Sequence, residues 1–266
     1  MQGAGEQRRE AYLTYAERAA QSATPQSTGS HKPFAVFDFD GTLVRWQLYH
    51  AIVDELAREK LVDGMEYQKV KLARLKWKAR ESQDAFKDYE LELVRCYEKT
   101  LPKLTTEQFD KAVNEVFEEH RQQVYVYTRD LLKDLKSQGY FLIAISGSHR
   151  EVVELIAQHY GFDDWVGTKF EKINGKFSGN YQFAGAEKDI ILKKLAAEHN
   201  LTFAGSIAVG DSESDIPMLE LVQTPIAFNP SEKLYTHAKQ KGWKIVIERK
   251  NVVYELNAQN KTYKLS

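Results

Sequence analysis

The chain has 266 residues, enough for one large domain or a domain with an insertion, and enough to bury a core without disulfide staples. Hydrophobic residues at 42% and charged residues at 28% exclude a largely disordered, collagen-like or membrane-embedded chain. The 37 Lys and Arg nearly balance 38 Asp and Glu, so the net charge of −1 gives no general attraction to nucleic acid or to an anionic membrane. Neither partner is expected, although a local basic patch stays compatible with these sums. The single cysteine, Cys96, can form no internal disulfide and favours a reducing compartment. It lies in a charged stretch of helical pattern, where half-buried packing accounts for it better than nucleophilic chemistry. No run approaches the roughly 18 apolar residues of a membrane span, and the N-terminus lacks the apolar core of a secretory signal. A cytoplasmic location follows as the expectation.

In chain order, residues 1–33 are polar and close on Ser22, Thr24, Pro25, Ser27, Thr28, Gly29 and Ser30, the composition of a flexible extension. Tyr12, Tyr15 and Ala19 line at most one weak helical face inside it. Ala35, Val36 and Phe37 then form a short apolar strand cut off by Asp38. Over residues 46–125 no strand alternation appears, and apolar residues recur at helical spacing: Leu48, Ile52, Leu56, then Phe86, Tyr89, Leu93, then Phe109, Val113, Val116. A structureless loop of about eighty residues does not belong in a compact domain, so a helical cap is inserted after the first core strand. Its run of Lys69, Lys71, Arg74, Lys76, Lys78 and Arg80 reads as a solvated helix face; the sharper alternative turns some of these cations toward an anionic substrate.

Beyond the cap, short apolar strands at residues 140–145, 206–209, 225–228 and 244–247 alternate with helical stretches at 129–138, 150–159, 187–199, 214–221 and 232–241. Such alternation describes βαβ units, hence an α/β fold with a doubly wound parallel-sheet core over residues 34–45 and 126–247. Asn174-Gly175, between alternating residues, marks a hairpin over 171–183 that forms a flap beside the sheet. In the tail, residues 248–266, Val252, Tyr254 and Leu256 alternate like an edge strand.

Ligands of open α/β sheets sit beyond the carboxyl ends of the strands. Three such ends are rich in polar groups: Asp38-Phe39-Asp40-Gly41-Thr42, Ser146-Gly147-Ser148, and Gly210-Asp211-Ser212-Glu213-Ser214-Asp215. Asp38 and Asp40, two apart in extended chain, project to the same side, and such a pair is costly without a cation. A nearby Asp211 adds a third carboxylate, and clustered hard oxygens suit Mg2+, whereas no Cys or His pair has the spacing for a softer metal. A turn or cap aspartate is the ordinary reading of any one of these residues; their coincidence at three strand ends is what argues for a site. Ser146 and the Gly147 amide, ahead of a helix near His149, suit phosphate oxygens, with a simple helix cap as the plainer role for Ser146. Lys188 falls in a first helical turn, where a cation is unfavourable, and so points to an anionic partner; pairing with Glu187 or Asp189 is the alternative.

Asp38-Phe-Asp-Gly-Thr-Leu-Val, Ile145-Ser-Gly-Ser, Lys188 before a helix, and Gly210-Asp-Ser-Glu-Ser-Asp-Ile-Pro-Met-Leu resemble, in order and approximate spacing, the four motifs of the haloacid dehalogenase superfamily. The likeness is greatest to its phosphoserine-phosphatase-like branch and spans about residues 34–247. It implies a Mg2+-dependent phosphatase that hydrolyses a small-molecule phosphomonoester through an aspartyl-phosphate. Asp38 would be the nucleophile, and Asp40 would protonate the leaving alcohol and then deprotonate water. Asp38, Asp211 and the backbone carbonyl of Asp40 would hold Mg2+, with Asp215 orienting them. Thr42, Ser146, Gly147 and Lys188 would cradle the phosphoryl oxygens, and Trp46, Gln47 and cap residues would face the leaving group. Phosphoserine phosphatases carry a glutamate for the substrate amine where this chain has Gln47, which favours another phosphomonoester. Gly41, where those enzymes commonly carry serine, fits the broader phosphatase group. By family analogy the candidates are histidinol phosphate, phosphoserine and small sugar or lipid phosphates. A phosphotransferase sharing the intermediate, and a non-catalytic phosphometabolite-binding protein, are the competing readings.

Overall fold

The central strand β1 (Lys32–Phe37) is a short apolar run, with Phe34 to Phe37 wholly buried because both faces of the sheet are covered. It begins two residues inside the stretch read as an extension. The structure is a computed structural model describing residues 32–82, 84–250, 252–259 and 262–265; residues 1–31, with the weak helical face read there, lie outside the described residues. Alternation sends Ala35 and Phe37 to one face of the sheet and Phe34 and Val36 to the other, into two separate apolar clusters.

After β1 come the helices α1 (Leu48–Arg58), α2 (Gly64–Ala79), α3 (Ala85–Thr100) and α4 (Thr106–His120). α1 packs on α4 and α2 on α3, burying Leu48, Ile52, Leu56, Tyr89, Leu93, Phe109, Val113 and Val116. Phe86 is only partly buried. Cys96 on α3 is a free thiol with 1% exposure, buried more completely than its charged neighbourhood implied. The two connections of this helical cap run side by side: Arg45 N–H donates to the Gln123 carbonyl at 2.8 Å, and Tyr125 N–H to the Leu43 carbonyl at 3.0 Å. The core resumes with α5 (Val126–Ser137), whose first amides, Val126 and Tyr127, donate to the buried Glu248 carboxylate at 3.1 and 2.9 Å. An anion at a helix N-terminus satisfies donors that have no intrahelical acceptor.

The remaining elements are β2 (Phe141–His149), α6 (Arg150–Tyr160), β3 (Asp164–Ile173), β4 (Lys176–Gln182), α7 (Lys188–Glu198), β5 (Leu201–Gly210), α8 (Ile216–Leu219), β6 (Thr224–Phe228), α9 (Glu232–Lys241), β7 (Lys244–Arg249), β8 (Val252–Gln259) and β9 (Thr262–Leu265). They complete one nine-stranded sheet of order β4-β3-β2-β1-β5-β6-β7-β8-β9. Six strands, β3 through β7 in that order, run parallel, while β4, β8 and β9 are antiparallel additions. The hairpin turns at Asn174 and Gly175, with φ 48° and 74°, as its Asn-Gly pair requires. Its first strand is longer than the pattern suggested, because Asp164 to Thr168 first pairs in parallel with β2. β8 is a strand, but β9 covers its outer side, so it is not the edge.

Candidate active site

The sheet order β2-β1-β5 sets the three polar strand ends side by side, since Phe37 pairs with both Ala144 and Val209. Asp38 follows β1 and donates its backbone N–H to the Val209 carbonyl at 3.0 Å. The chain then turns tightly: Thr42, Leu43 and Val44 N–H groups all point to the Phe39 carbonyl, at 3.2, 3.0 and 2.8 Å. Gly41 makes this possible with φ +80°, and a Cβ there would stand 2.3 Å from Asp211 Oδ2.

This turn parts two neighbouring carboxylates. Asp38 lies beside Lys188, the first residue of α7, whose Nζ is 2.9 Å from Asp38 Oδ1 and 2.6 Å from Asp215 Oδ1. Asp40 instead accepts from Leu48 N–H at 2.6 Å, at the start of the cap, and from Ser146 Oγ–H at 2.8 Å, at the end of β2. Ser146 Oγ in turn accepts from Ser148 N–H at 3.0 Å, and Ser148 Oγ takes the Tyr49 N–H of α1 at 3.1 Å. Gly147 lies between them, its carbonyl accepting from Thr168 Oγ1 at 2.6 Å and its α-carbon open toward the Phe183 ring.

On the third strand end, Asp215 is fully buried, and its Oδ2 accepts from Asp211 N–H, Ser212 N–H and Ser212 Oγ at 3.0, 2.9 and 3.2 Å. Gly210 is required beneath it, because a Cβ would come within 2.5 Å of Asp215. Thr42, also fully buried, donates Oγ1–H to Asp211 Oδ1 at 3.3 Å. Oxygens of Asp38, Asp211 and Asp215 lie within 4.8 Å of one another. Asp38, Asp40, Thr42, Ser146, Gly147, Asp211 and Asp215 thus lie at the joined strand ends, and Lys188 reaches Asp38 and Asp215 from the start of α7.

The charges do not cancel. Three carboxylates share one ammonium, so with all ionised the cluster carries a net charge of −2 in a largely buried site, a strongly unfavourable state. Burial pushes the Asp38 carboxyl up to about 7, with Lys188 opposing and Asp215 and Asp40 adding to the rise. Burial and the Asp38 and Asp215 carboxylates drive Asp211 well above its usual range. Burial works against the Lys188 ammonium, but Asp215 and Asp38 outweigh it and raise its pKa. Asp38 Oδ1 also receives no well-directed hydrogen bond despite its proximity to Lys188. A hard divalent cation between Asp38 and Asp211 answers both the charge and the unsatisfied oxygen, so the donor set fits such an ion.

Some expected participants lie elsewhere. Of the basic run, Arg74 is engaged inside the cap with Asp54 at 2.6 Å and with Tyr89 Oη at 3.0 Å, and Lys69 with Glu66 at 2.8 Å. Lys71, Lys76, Lys78 and Arg80 lie on the exposed side of the cap. The solvated-face reading holds for these cations. Gln47 caps α1 without a side-chain bond and is only part-buried, next to the Leu48 amide that holds Asp40. Sequence reasoning gave Ser148 no role; its place two residues after Ser146 in extended chain was the available signal.

A family model described as haloacid dehalogenase-like hydrolase matches residues 35–220. Histidinol-phosphatase of Neisseria meningitidis is 27% identical over 232 residues, covering 81% of this chain and 98% of that protein. Phosphoserine phosphatase of Archaeoglobus fulgidus is 28% identical over 79% of this chain, which spans only 56% of that longer relative. Among solved structures, a Bordetella pertussis protein of unknown function superposes with a TM-score of 0.66 at 22% identity, over 82% of this chain and 99% of that one. A phospho-aspartyl intermediate analogue of phosphoserine phosphatase gives a TM-score of 0.56 at 22% identity, over 83% and 95%. The likeness to these structures lies in the fold, and the family match runs from β1 past the third acidic strand end: the chain belongs to the haloacid dehalogenase-like hydrolases.

Proposed function

We propose that the chain hydrolyses a small-molecule phosphomonoester through an aspartyl-phosphate on Asp38. The observation that carries this reading is the division of labour between Asp38, held in the carboxylate–lysine cluster, and Asp40, held apart by Leu48 and Ser146. An Asp38 oxygen attacks phosphorus as the bond from phosphorus to the leaving oxygen breaks, and Asp40 gives that oxygen its proton. Asp40 then takes a proton from water, which attacks the aspartyl-phosphate, releasing inorganic phosphate and restoring the Asp38 carboxylate. Burial raises the Asp40 pKa against the bonds from Leu48 and Ser146, which suits a group that must begin protonated.

Asp38, Asp211 and the Asp40 carbonyl would hold Mg2+, which when bound offsets the carboxylate charge and draws electron density from the phosphoryl oxygens. Asp215, its oxygens committed to Lys188, Asp211 N–H and Ser212, positions this group. Lys188, Thr42, Ser146 and the Gly147 amide would stabilise the transferring phosphoryl group. Gln47 offers no carboxylate to a substrate amine, so we favour a phosphomonoester other than phosphoserine; histidinol phosphate is the candidate that the Neisseria relative suggests.

The test is phosphate release from a panel of phosphorylated metabolites with Mg2+, for the natural chain and for Asp38→Asn. Turnover should vanish in the variant; unchanged turnover would remove Asp38 from its role. Phosphate release that drops when alcohol acceptors are added, with phosphorylated alcohol appearing, would favour a phosphotransferase instead.

A further inference from the structure

Helix α2 presents apolar side chains on both of its faces. Its inner face is spent on the cap: Val70 is fully buried, Trp77 stacks on Tyr89 at 5.3 Å, and Arg74 pairs with Asp54. A helix docked by one face normally turns a polar face outward. Here the outer face carries Met65, Leu72 and Leu75, exposed by 77%, 60% and 62%, the three most exposed large apolar side chains among the described residues. Spaced i, i+7 and i+10, they form one stripe along the helix, continued by the exposed Gln68 and Ala79.

Cations border this stripe on both sides. At about 100° per residue, Lys69 and Lys76 fall along one border and Lys71 and Lys78 along the other, with Arg80 just past the helix end. Glu66 is the one acidic residue within α2, and it is already occupied by Lys69 and Lys99, each at 2.8 Å. Lys71, Lys76, Lys78 and Arg80 have no carboxylate partner among the described residues. An apolar ridge on a convex helix, with long cationic side chains along both edges, matches a flat, negatively charged, apolar-cored surface better than a protein groove.

We propose that the outer face of α2 docks the protein peripherally on anionic lipid bilayers. Met65, Leu72 and Leu75 enter the boundary between headgroups and acyl chains, and the flanking lysines reach lipid phosphates. No helix among the described residues is long and apolar enough to cross a membrane, so the contact is superficial. The expectation of no membrane partner rested on a net charge of −1, a sum that averages this helix with the rest of the chain. The proposal does not depend on the reaction assigned above.

Sedimentation of the full chain with vesicles tests it, using phosphatidylcholine alone and phosphatidylcholine mixed with phosphatidylglycerol, each at low and high salt. Binding should appear only with the anionic mixture, and high salt should weaken it. Leu72→Gln with Leu75→Gln, and separately Lys71→Glu with Lys78→Glu, should each reduce binding about tenfold or more. Unchanged thermal melts would show that these variants fold. Absence of binding to anionic vesicles at low salt would overturn the proposal, as would binding that neither pair of substitutions affects. A vesicle-independent dimer that Leu72→Gln with Leu75→Gln dissolves, without lipid binding, would assign the face to a second copy of the chain.

Discussion

Asp38 and Asp40 are two residues apart, yet one faces an ammonium and the other an amide and a hydroxyl. This difference predicts how Asp40→Asn behaves. The asparagine oxygen can still accept from Leu48 N–H, but its amide has no acidic proton to transfer to the leaving oxygen. First-turnover cleavage of an alkyl phosphate, whose leaving group needs protonation, should slow by about 10² to 10⁴. An aryl phosphate with a stable leaving phenolate should lose far less in that step, and equal losses would contradict the acid role. Gly41 offers a second test at this scale. Its φ of +80° and the 2.3 Å approach of a Cβ to Asp211 mean that Gly41→Ala must displace a carboxylate of the cluster. The Mg2+ concentration for half-maximal activity should rise about tenfold or more, and an unaltered Mg2+ dependence would separate Gly41 from cation binding.

Cap, flap and core meet around His149, whose ring lies 4.3 Å from Phe109 of α4 and 4.5 Å from Phe170 of β3. The hairpin tip also joins the cap, with Thr106 N–H donating to the Gly175 carbonyl at 3.0 Å. Within the cap, His50 is 2% exposed on α1, with Tyr89 Oη 3.2 Å from its Nδ1. Burial, then the charge of Arg74, lower its pKa to about 4, with Asp54 opposing. The folded cap holds this imidazole neutral, while in the unfolded chain it takes up a proton below about pH 6.5. The unfolded state thus binds more protons as pH falls from about 6.5 to about 4, and stability should drop across that window by up to about 3 kcal/mol. His50→Gln should remove this part of the dependence in denaturant unfolding compared at both pH limits. Parallel profiles for the two proteins would contradict it.

At the scale of the whole molecule, the strand ends were legible because β1, β2 and β5 are buried apolar runs that stop abruptly at charged or hydroxyl residues. Their convergence was legible because parallel sheets present such ends together. The parallel half of β3 was not, since this flank of the parallel strands is only part-buried and Asp164 to Thr168 offers little beyond Trp165 and Val166 as an apolar signal. The helix read over residues 214–221 shrank to the four residues of α8, preceded by a tight turn in which Asp215 is tied to Asp211 and Ser212. That turn is spent on the site rather than on regular structure. The spacing of Ser148 from Ser146 marks the residue but not its partner: its bond to Tyr49 spans 99 residues, and those of Glu248 to the α5 amides span 122 and 121, separations that no local pattern encodes.

The proposed chemistry begins with Asp38 accepting a phosphoryl group within the cluster it forms with Lys188, Asp211 and Asp215. Acid-quenched reaction mixtures, digested and analysed by mass spectrometry, test this directly. With substrate and Mg2+, the phosphoryl group should be found on the peptide containing Asp38, and it should be absent when Mg2+ is chelated. A phosphorylated residue elsewhere, or turnover with no covalent phosphopeptide at any quench time, would contradict it.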